Sequence, residues 1–276
     1  MVRNFEYPKK KANKLNRYDS RGTQAKIRDL RIYELTCIGT YDLGQIHSIV
    51  NSTKVLHVSF PPDNESTNPF PALLPMIGVM GSYDYPSSAI DEPLDCYLHG
   101  YVSSRLMRLA KDSEKGLPVS IAATSVDGLV LSLTPNSHSY NYRSAVLQGY
   151  GRPVETDAEK VYAMELITNK VVPDRWQNSR VPPDKVEMTS TMILRVKIES
   201  GSGKIRHGEP HDEAKDLDRK DVTSKTWTGV VPVYESFEAP IPNPSNEVGD
   251  VPEYITQYVK TANAGSRKAA LEAAKE

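Results

Sequence analysis

The segment Leu98-His99-Gly100-Tyr101-Val102-Ser103-Ser104-Arg105 gathers an imidazole, two serine hydroxyls and a guanidinium in one short run. An apolar residue, histidine and glycine followed by Ser-Ser-Arg suits a strand end that feeds a helix start. Unpaired backbone N–H groups and the helix dipole favour an anion at such a start. Serine hydroxyls donate to phosphate oxygens, and arginine grips two of them at once. The same residues also read as a plain serine cap followed by an exposed arginine. A Walker loop is excluded, because its glycine-lysine pattern is missing. A second polar run, Asn136-Ser137-His138-Ser139-Tyr140-Asn141-Tyr142-Arg143-Ser144, leads straight into the apolar Ala145-Val146-Leu147. Its hydroxyls, amides and guanidinium can cradle a phosphate or the polar edge of a flat ring. They can equally bond one another inside a loop.

The remaining chemistry-bearing residues show less order. The histidines are His47, His57, His99, His138, His207 and His211. They form no HxH or HExxH spacing, so a zinc site has little support. No GxSxG nucleophile elbow occurs. Asp95 and Asp127 show no special spacing as a carboxylate pair. Arg175-Trp176 and Arg180 cover apolar surface, or Arg180 adds to an anion site; Trp176 suits packing.

These residues need elements to hold them. Asp42 to Val50 reads as a short helix. Val55-Leu56-His57-Val58-Ser59-Phe60 is rich in β-formers, Leu73 to Met80 makes a second strand, and Asp95 to Gly100 a third. A helix follows, with Leu106, Leu109 and Ala110 on one face, a serine cap and Gly116 at its close. Strands then cover Pro118–Thr124 and Leu129–Leu133, with a turn or bulge at Asp127-Gly128. The β run continues over Asn141–Gly149. Thr156 and Glu159 make a capping box for a helix that Pro173 stops. Met192, Leu194, Val196 and Ile198 alternate along a late strand with Gly201-Ser202-Gly203 as its turn. The strands are mostly hairpin-connected with no regular strand–helix alternation, which argues against a doubly wound sheet and for an antiparallel barrel with helices outside. A basic arm occupies residues 1–30, and the last fifteen or so residues of the Pro- and Asn-rich extension are expected to fray.

Composition sets the outer limits. The chain has 276 residues, 38% hydrophobic and 25% charged, with a net charge of -1. That excludes wholesale disorder and gives no electrostatic case for nucleic acid. No apolar run approaches the ~18–20 residues a bilayer span requires. The basic, polar start lacks a signal-peptide core, and two cysteines cannot build a disulfide framework. A cytoplasmic protein with no membrane partner is expected.

Taken in order, several of these pieces resemble a known family. They are Val55–Phe60, Tyr97-Leu98-His99-Gly100 with Ser103-Ser104-Arg105, Val126-Asp127-Gly128-Leu129-Val130-Leu131, and His138 to Ser144. Arg175-Trp176, Arg180 and Trp227-Thr228-Gly229-Val230-Val231-Pro232 extend the likeness to roughly residues 17–235. The whole is similar to the pyridoxamine 5'-phosphate oxidase-like superfamily, in the branch of flavin-nucleotide-binding proteins that also resembles nitroimidazole reductases. The resemblance implies a mainly β (α+β) split barrel over residues 31–235, with an extension over 236–276. It implies a homodimer with FMN at its interface and a small planar substrate. It would set Ser103, Ser104 and Arg105 near the FMN phosphate, with Tyr142, Arg143, Ser144 and Arg180 at the same flavin. His99 would stand near the ring as proton donor or substrate clamp. Haem is the alternative cofactor, because a relative of this fold binds it and another uses a deazaflavin; a non-catalytic storage or sensing role is the alternative function. Two departures stand out. The Gly81–Pro93 loop is longer than the hairpin usual there, and Arg206-His207 lacks the aromatic context of the substrate-binding pair in true pyridoxamine phosphate oxidases.

Overall fold

The structure, a computed structural model, describes residues 37–63 and 67–275. The basic arm lies outside the described residues. The chain divides into two units, one of Thr40–Thr124 with Ser144–Gly203 and one of Ser125–Arg143 with Lys204–Glu276.

Strand β1 (Cys37–Thr40) precedes helix α1 (Leu43–Ser52), the first helix of the first unit. Asp42 caps α1, its Oδ1 accepting from the Gln45 backbone at 2.8 Å. Leu43, Ile46, His47 and Val50 fall at i, i+3, i+4 and i+7 and are buried, as an amphipathic helix requires. Strands β2 (Leu56–Phe60), β3 (Ala72–Met76), β4 (Gly78–Gly81) and β5 (Asp95–Tyr101) precede the short helix α2 (Arg105–Lys111). Two long strands, β6 (Leu117–Leu131) and β7 (Ser139–Pro153), form a hairpin, followed by α3 (Asp157–Val171), α4 (Lys185–Ser190) and β8 (Thr191–Arg206). The antiparallel sheet runs β3-β2-β6-β7-β8-β5-β4. Its two ends are neighbouring pieces of one stretch, interrupted only at Ile77. There His99 N donates to Ile77 O at 3.3 Å, so the sheet closes on itself. Antiparallel closure removes both free edges and makes the split barrel the sequence suggests.

Alternation along the strands fills the barrel. Leu56, Val58, Phe60, Cys96, Leu98, Ile121, Leu147, Leu194 and Val196 are all buried. A second core lies outside the wall, where Val79, Tyr97 and Ile193 meet Ala163 and Ile167 of α3. Thr156 caps α3, its Oγ1 accepting from Glu159 N at 3.2 Å. Glu159 turns its carboxylate to the Tyr97 hydroxyl at 3.0 Å instead of closing the expected capping box.

The second unit adds helices α5 (Ala214–Leu217) and α6 (Lys220–Thr223), strand β9 (Gly229–Pro232) and helix α7 (Glu253–Ala273). β9 pairs with the end of β6, Gly128 opposite Pro232 and Leu131 opposite Gly229. Three expectations are corrected. Asp127-Gly128 is not a turn, and Gly201-Ser202-Gly203 is not one either, because β6 and β8 run unbroken through them. The C-terminal residues do not fray, because α7 is tethered by polar contacts rather than by a broad apolar face. Asn141 Nδ2 donates to Ala273 O at 2.9 Å and to Gly208 O at 3.1 Å, and Gly208 N donates to Ala273 O at 2.8 Å. Asn263 brackets Phe237, accepting from its N–H and donating to its carbonyl, while the Phe237 and Tyr258 ring centroids stand 5.5 Å apart.

Candidate functional site

The end of β5 is built from the first polar run. A turn closes where Ser104 N donates to Tyr101 O at 3.0 Å, and Val102 N is held by Ser190 O at 3.2 Å. This throws Tyr101, Val102 and Ser103 to the surface. Ser104 is the α2 cap, its Oγ accepting from Met107 N at 3.4 Å, so the plain cap reading holds for that residue. Its hydroxyl proton is still free to donate outward. Ser103 and Arg105 are exposed. The Arg105 guanidinium lies 5.6 Å from the Phe60 ring centroid, and among the described residues no carboxylate pairs with it. His99 is exposed one residue beyond the buried Leu98, and partial desolvation by its neighbours lowers its pKa, favouring the neutral ring. Alternation puts His99 and Tyr101 on the outer face of β5, beside Ile77. The adjoining strand β3 is exposed at Leu73 (61%), Ile77 following it is exposed at 38%, and Tyr101 at 64%. Isolated exposed apolar residues are ordinary, but this is a contiguous strip. The sequence reading named the strand and missed its exposure. Pro75 was the available signal, because proline withholds a ladder N–H and marks strand edges.

The second polar run meets a different fate. Ser132 N donates to His138 Nδ1 at 3.0 Å, Ser132 Oγ donates to Ser137 O at 2.9 Å, and Thr134 and Ser137 share a 2.8 Å hydroxyl contact. This is the self-bonded loop. Arg143 makes a two-pronged ion pair with the buried Asp127, Nε and Nη2 each at 2.8 Å. That hydrogen bonding, working against partial desolvation, raises the Arg143 pKa. Tyr142 is half-buried with the Lys204 ammonium 5.8 Å from its ring centroid. Ser144 is half-buried and begins the part of β7 in the first unit. Arg206 is buried and donates to the Asn141 side chain and, at 3.4 Å, to Glu209 O. Arg180 is exposed and paired with Glu187 and, at 3.8 Å, with Asp184, which cancels its charge.

The long loop after Gly81 is pinned, not hinged. Arg195 reaches Asp95 at 2.6 Å, Asp84 at 2.7 Å and Glu159 at 3.2 Å, joining β8, β5, α3 and the loop. Burial raises the Asp95 pKa, against the pull of Arg195. Ser82 N donates to the Tyr162 hydroxyl at 3.1 Å, and His47 Nδ1 donates to Ile90 O at 2.7 Å from a fully buried position. The buried Cys96 thiol is pushed up to about 12 by desolvation. Among the described residues no group of His, Cys, Asp and Glu is arranged to hold a metal ion, and no helix is long and apolar enough to cross a membrane.

A closed antiparallel barrel with an imidazole, hydroxyls and an exposed guanidinium at one strand end invites comparison with known proteins. Residues 42–205 match the family described as pyridoxamine 5'-phosphate oxidase (Pyridox_ox_2), more than half of the chain. The chain belongs to this family. No curated protein matches its sequence. Among solved structures, the FAD and haem binding protein from Mycobacterium smegmatis is 22% identical, with a TM-score of 0.65, covering 80% of this chain and 97% of its own. The flavocytochrome Anf3 from Azotobacter vinelandii is 24% identical, with a TM-score of 0.64, covering 80% of this chain and 92% of its own. At these identities the likeness is one of fold. It extends beyond the family match, because 80% of the chain takes part.

Proposed function

We propose that the protein binds a flavin nucleotide, FMN by the sequence resemblance, at the end of β5, and acts as an oxidoreductase on a small planar substrate. The observation that carries this reading is the juxtaposition of an apolar outer strip (Leu73, Ile77, Tyr101) with an open set of anion donors (Ser103, Ser104, Arg105). A flavin nucleotide has the matching halves, a flat apolar ring and an anionic phosphate. The residues therefore fit the group. Ser103 and Arg105 would hold the phosphate, Ser104 would donate its hydroxyl proton while still capping α2, and the strip would seat the ring. His99, neutral and exposed beside Ile77, would hold a proton at the ring or clamp the substrate. The bound flavin would supply hydride and electron transfer; the chain would orient it and exclude water. The exposed strip also supports a homodimer, because a second copy that covers it would seal the flavin at the interface. Arg143 and Arg180 are outside this reading, since carboxylates already neutralise them.

The visible spectrum of the purified chain, before and after heat release, tests this. Twin bands near ~370 and ~450 nm are expected, and the released nucleotide identifies FMN or FAD. A colourless protein that takes up neither added nucleotide would overturn the proposal. A second reading adds haem. Its support is that both solved relatives, by name, pair the two cofactors as a FAD and haem binding protein and a flavocytochrome. Exposed, unbonded imidazoles are the donor chemistry that haem iron needs.

A further inference from the structure

The strand registers lay out the flavin seat in rows. On one side of β3, Leu73 pairs with Ser59 of β2 and Pro75 with His57. On the other side, Gly78 pairs with Leu98 of β5, and the His99 N–H donates to the Ile77 carbonyl. Carried two residues further, that register sets Met76 opposite Gly100 and Pro75 opposite Tyr101. The inner face agrees, because a Cβ on Gly100 would stand 3.6 Å from Met76 Cε. Paired residues share a face. The outer face therefore carries His57, Pro75 and Tyr101 in one row across the sheet. Ser59 and Leu73 lie in the row on one side of it, Ile77 and His99 in the row on the other.

The anion donors mark one end of this pattern. Arg105 lies over the ring of Phe60, the residue after Ser59, so the phosphate belongs beside the Leu73 row. In a flavin nucleotide the sugar chain joins the middle of the ring. A chain rising from the Leu73 row thus sets the ring over Pro75 with its long axis across the strands. One end points to β2 and the other to β5, and the reactive middle edge faces Ile77 and His99. On the β5 side the ring meets the body of Tyr101 and the exposed Val102, an apolar neighbourhood suited to the dimethylbenzene end. On the β2 side it meets His57. That imidazole is exposed, and among the described residues neither of its ring nitrogens has a partner. Its neighbours across the sheet, Pro75 and Ala122, have no polar side chain to compete with it. His57 and His99 are roughly two strand spacings, or about 10 Å, apart across the sheet, so they serve different parts of one ring.

The pyrimidine end of a flavin gathers negative charge when the ring is reduced. A donor fixed there favours the reduced form over the oxidised one, and this is how a protein tunes the cofactor. Resting on the flavin reading above, we propose that His57 donates a ring N–H to the pyrimidine end of the flavin and raises its reduction potential. A neutral imidazole is sufficient, because either nitrogen can carry the proton.

The test measures FMN binding to the full chain in the oxidised and the reduced state, the midpoint potential of the bound FMN, and sedimentation velocity. His57→Ala should weaken binding of reduced FMN at least tenfold more than that of oxidised FMN, which lowers the two-electron potential by about 30 mV or more. His57→Gln, whose amide can donate, should recover part of that shift. Arg105→Ala should weaken both states alike, since the phosphate does not change on reduction. Far-UV circular dichroism should be unchanged in all three, because both side chains are exposed. An unchanged potential in His57→Ala overturns the assignment, as does an equal shift in Arg105→Ala. Altered sedimentation of His57→Ala with an unchanged potential also overturns it and makes this imidazole a subunit contact. Wild type that binds no FMN in either state brings down the flavin reading itself, and the assignment with it.

Discussion

Two polar clusters that look alike in the sequence have opposite roles in the fold. At the end of β5, Ser103 and Arg105 face solvent, and among the described residues Arg105 meets the Phe60 ring and no carboxylate. Around β7, Arg143 is locked to Asp127, Asn141 to Arg206, Gly208 and Ala273, and His138 to Ser132. The difference lies in what each cluster meets. The second faces a buried carboxylate and the carbonyl ends of a helix and a strand, which cannot be left unpaired inside a protein. The first faces a surface with no such demand. Hydrogen-bonding capacity left unspent is the better sign of a ligand than polar composition.

The sharpest way to break that contrast is to remove one arginine from each cluster. Arg143→Ala leaves Asp127 buried and unpaired. Losing a partner of a buried pair costs about 3–5 kcal/mol, and partial exposure of Arg143 lowers this to about 2–3 kcal/mol. Urea denaturation should show that loss, and the folded fraction should bind flavin as wild type does. Arg105→Ala gives up a surface cation–π contact, so its stability should change by less than about 1 kcal/mol. Flavin affinity should fall at least tenfold by fluorescence titration. The opposite pattern would abolish the distinction between the clusters.

Next in size is Asn141→Ala. It removes a donor from two carbonyls and an acceptor from the buried Arg206, at about 1–3 kcal/mol. The loss should be local as well as global. Amide exchange in the last turns of α7 should accelerate, and proteolysis should begin beyond residue 250. Unchanged protection in α7 would show that its apolar contacts suffice to hold it.

How much of this was legible in the sequence depends on the range of the interaction. Asp42 and Thr156 were legible as caps because capping is settled within a few residues. The strands and their closure into a split barrel were legible from alternation, hairpin spacing and the family pattern. The glycine pairs misled for a reason that structure makes plain. A Cβ at Gly128 would stand 2.8 Å from Val230 Cγ1, and one at Gly203 would stand 2.6 Å from Thr40 Cγ2. Those glycines permit close approach within continuous strands rather than turns. The order of α7 was illegible because its tethers come from Asn141 and Gly208, far away in sequence. In the candidate site, His99 and Ser103 to Arg105 were legible as a group. That Arg143 was already spent was not, since nothing local marks Asp127 as its partner.

The histidines offer the mildest test of the same contrast, at His47 inside and His99 outside. Burial lowers the His47 pKa from its ordinary value of 6.5, against the raising effects of its Ile90 hydrogen bond and of Asp42. The sign follows from proton uptake. Above about pH 6.5 the ring is neutral in both the folded and the unfolded chain, and it adds no pH dependence. As pH falls below that value the unfolded chain binds a proton that the folded chain resists, so stability declines. His47→Asn can keep the donor to Ile90 O without titrating. Urea midpoints between about pH 5 and pH 8 should therefore show a shallower acid slope in this variant than in wild type. His99 also has a lowered pKa, yet its exposure limits the cost of charging it. His99→Asn should leave the acid slope nearly unchanged and alter flavin binding instead. Equal slopes in wild type and His47→Asn would mean that water reaches the ring and that the loop over it opens on acidification.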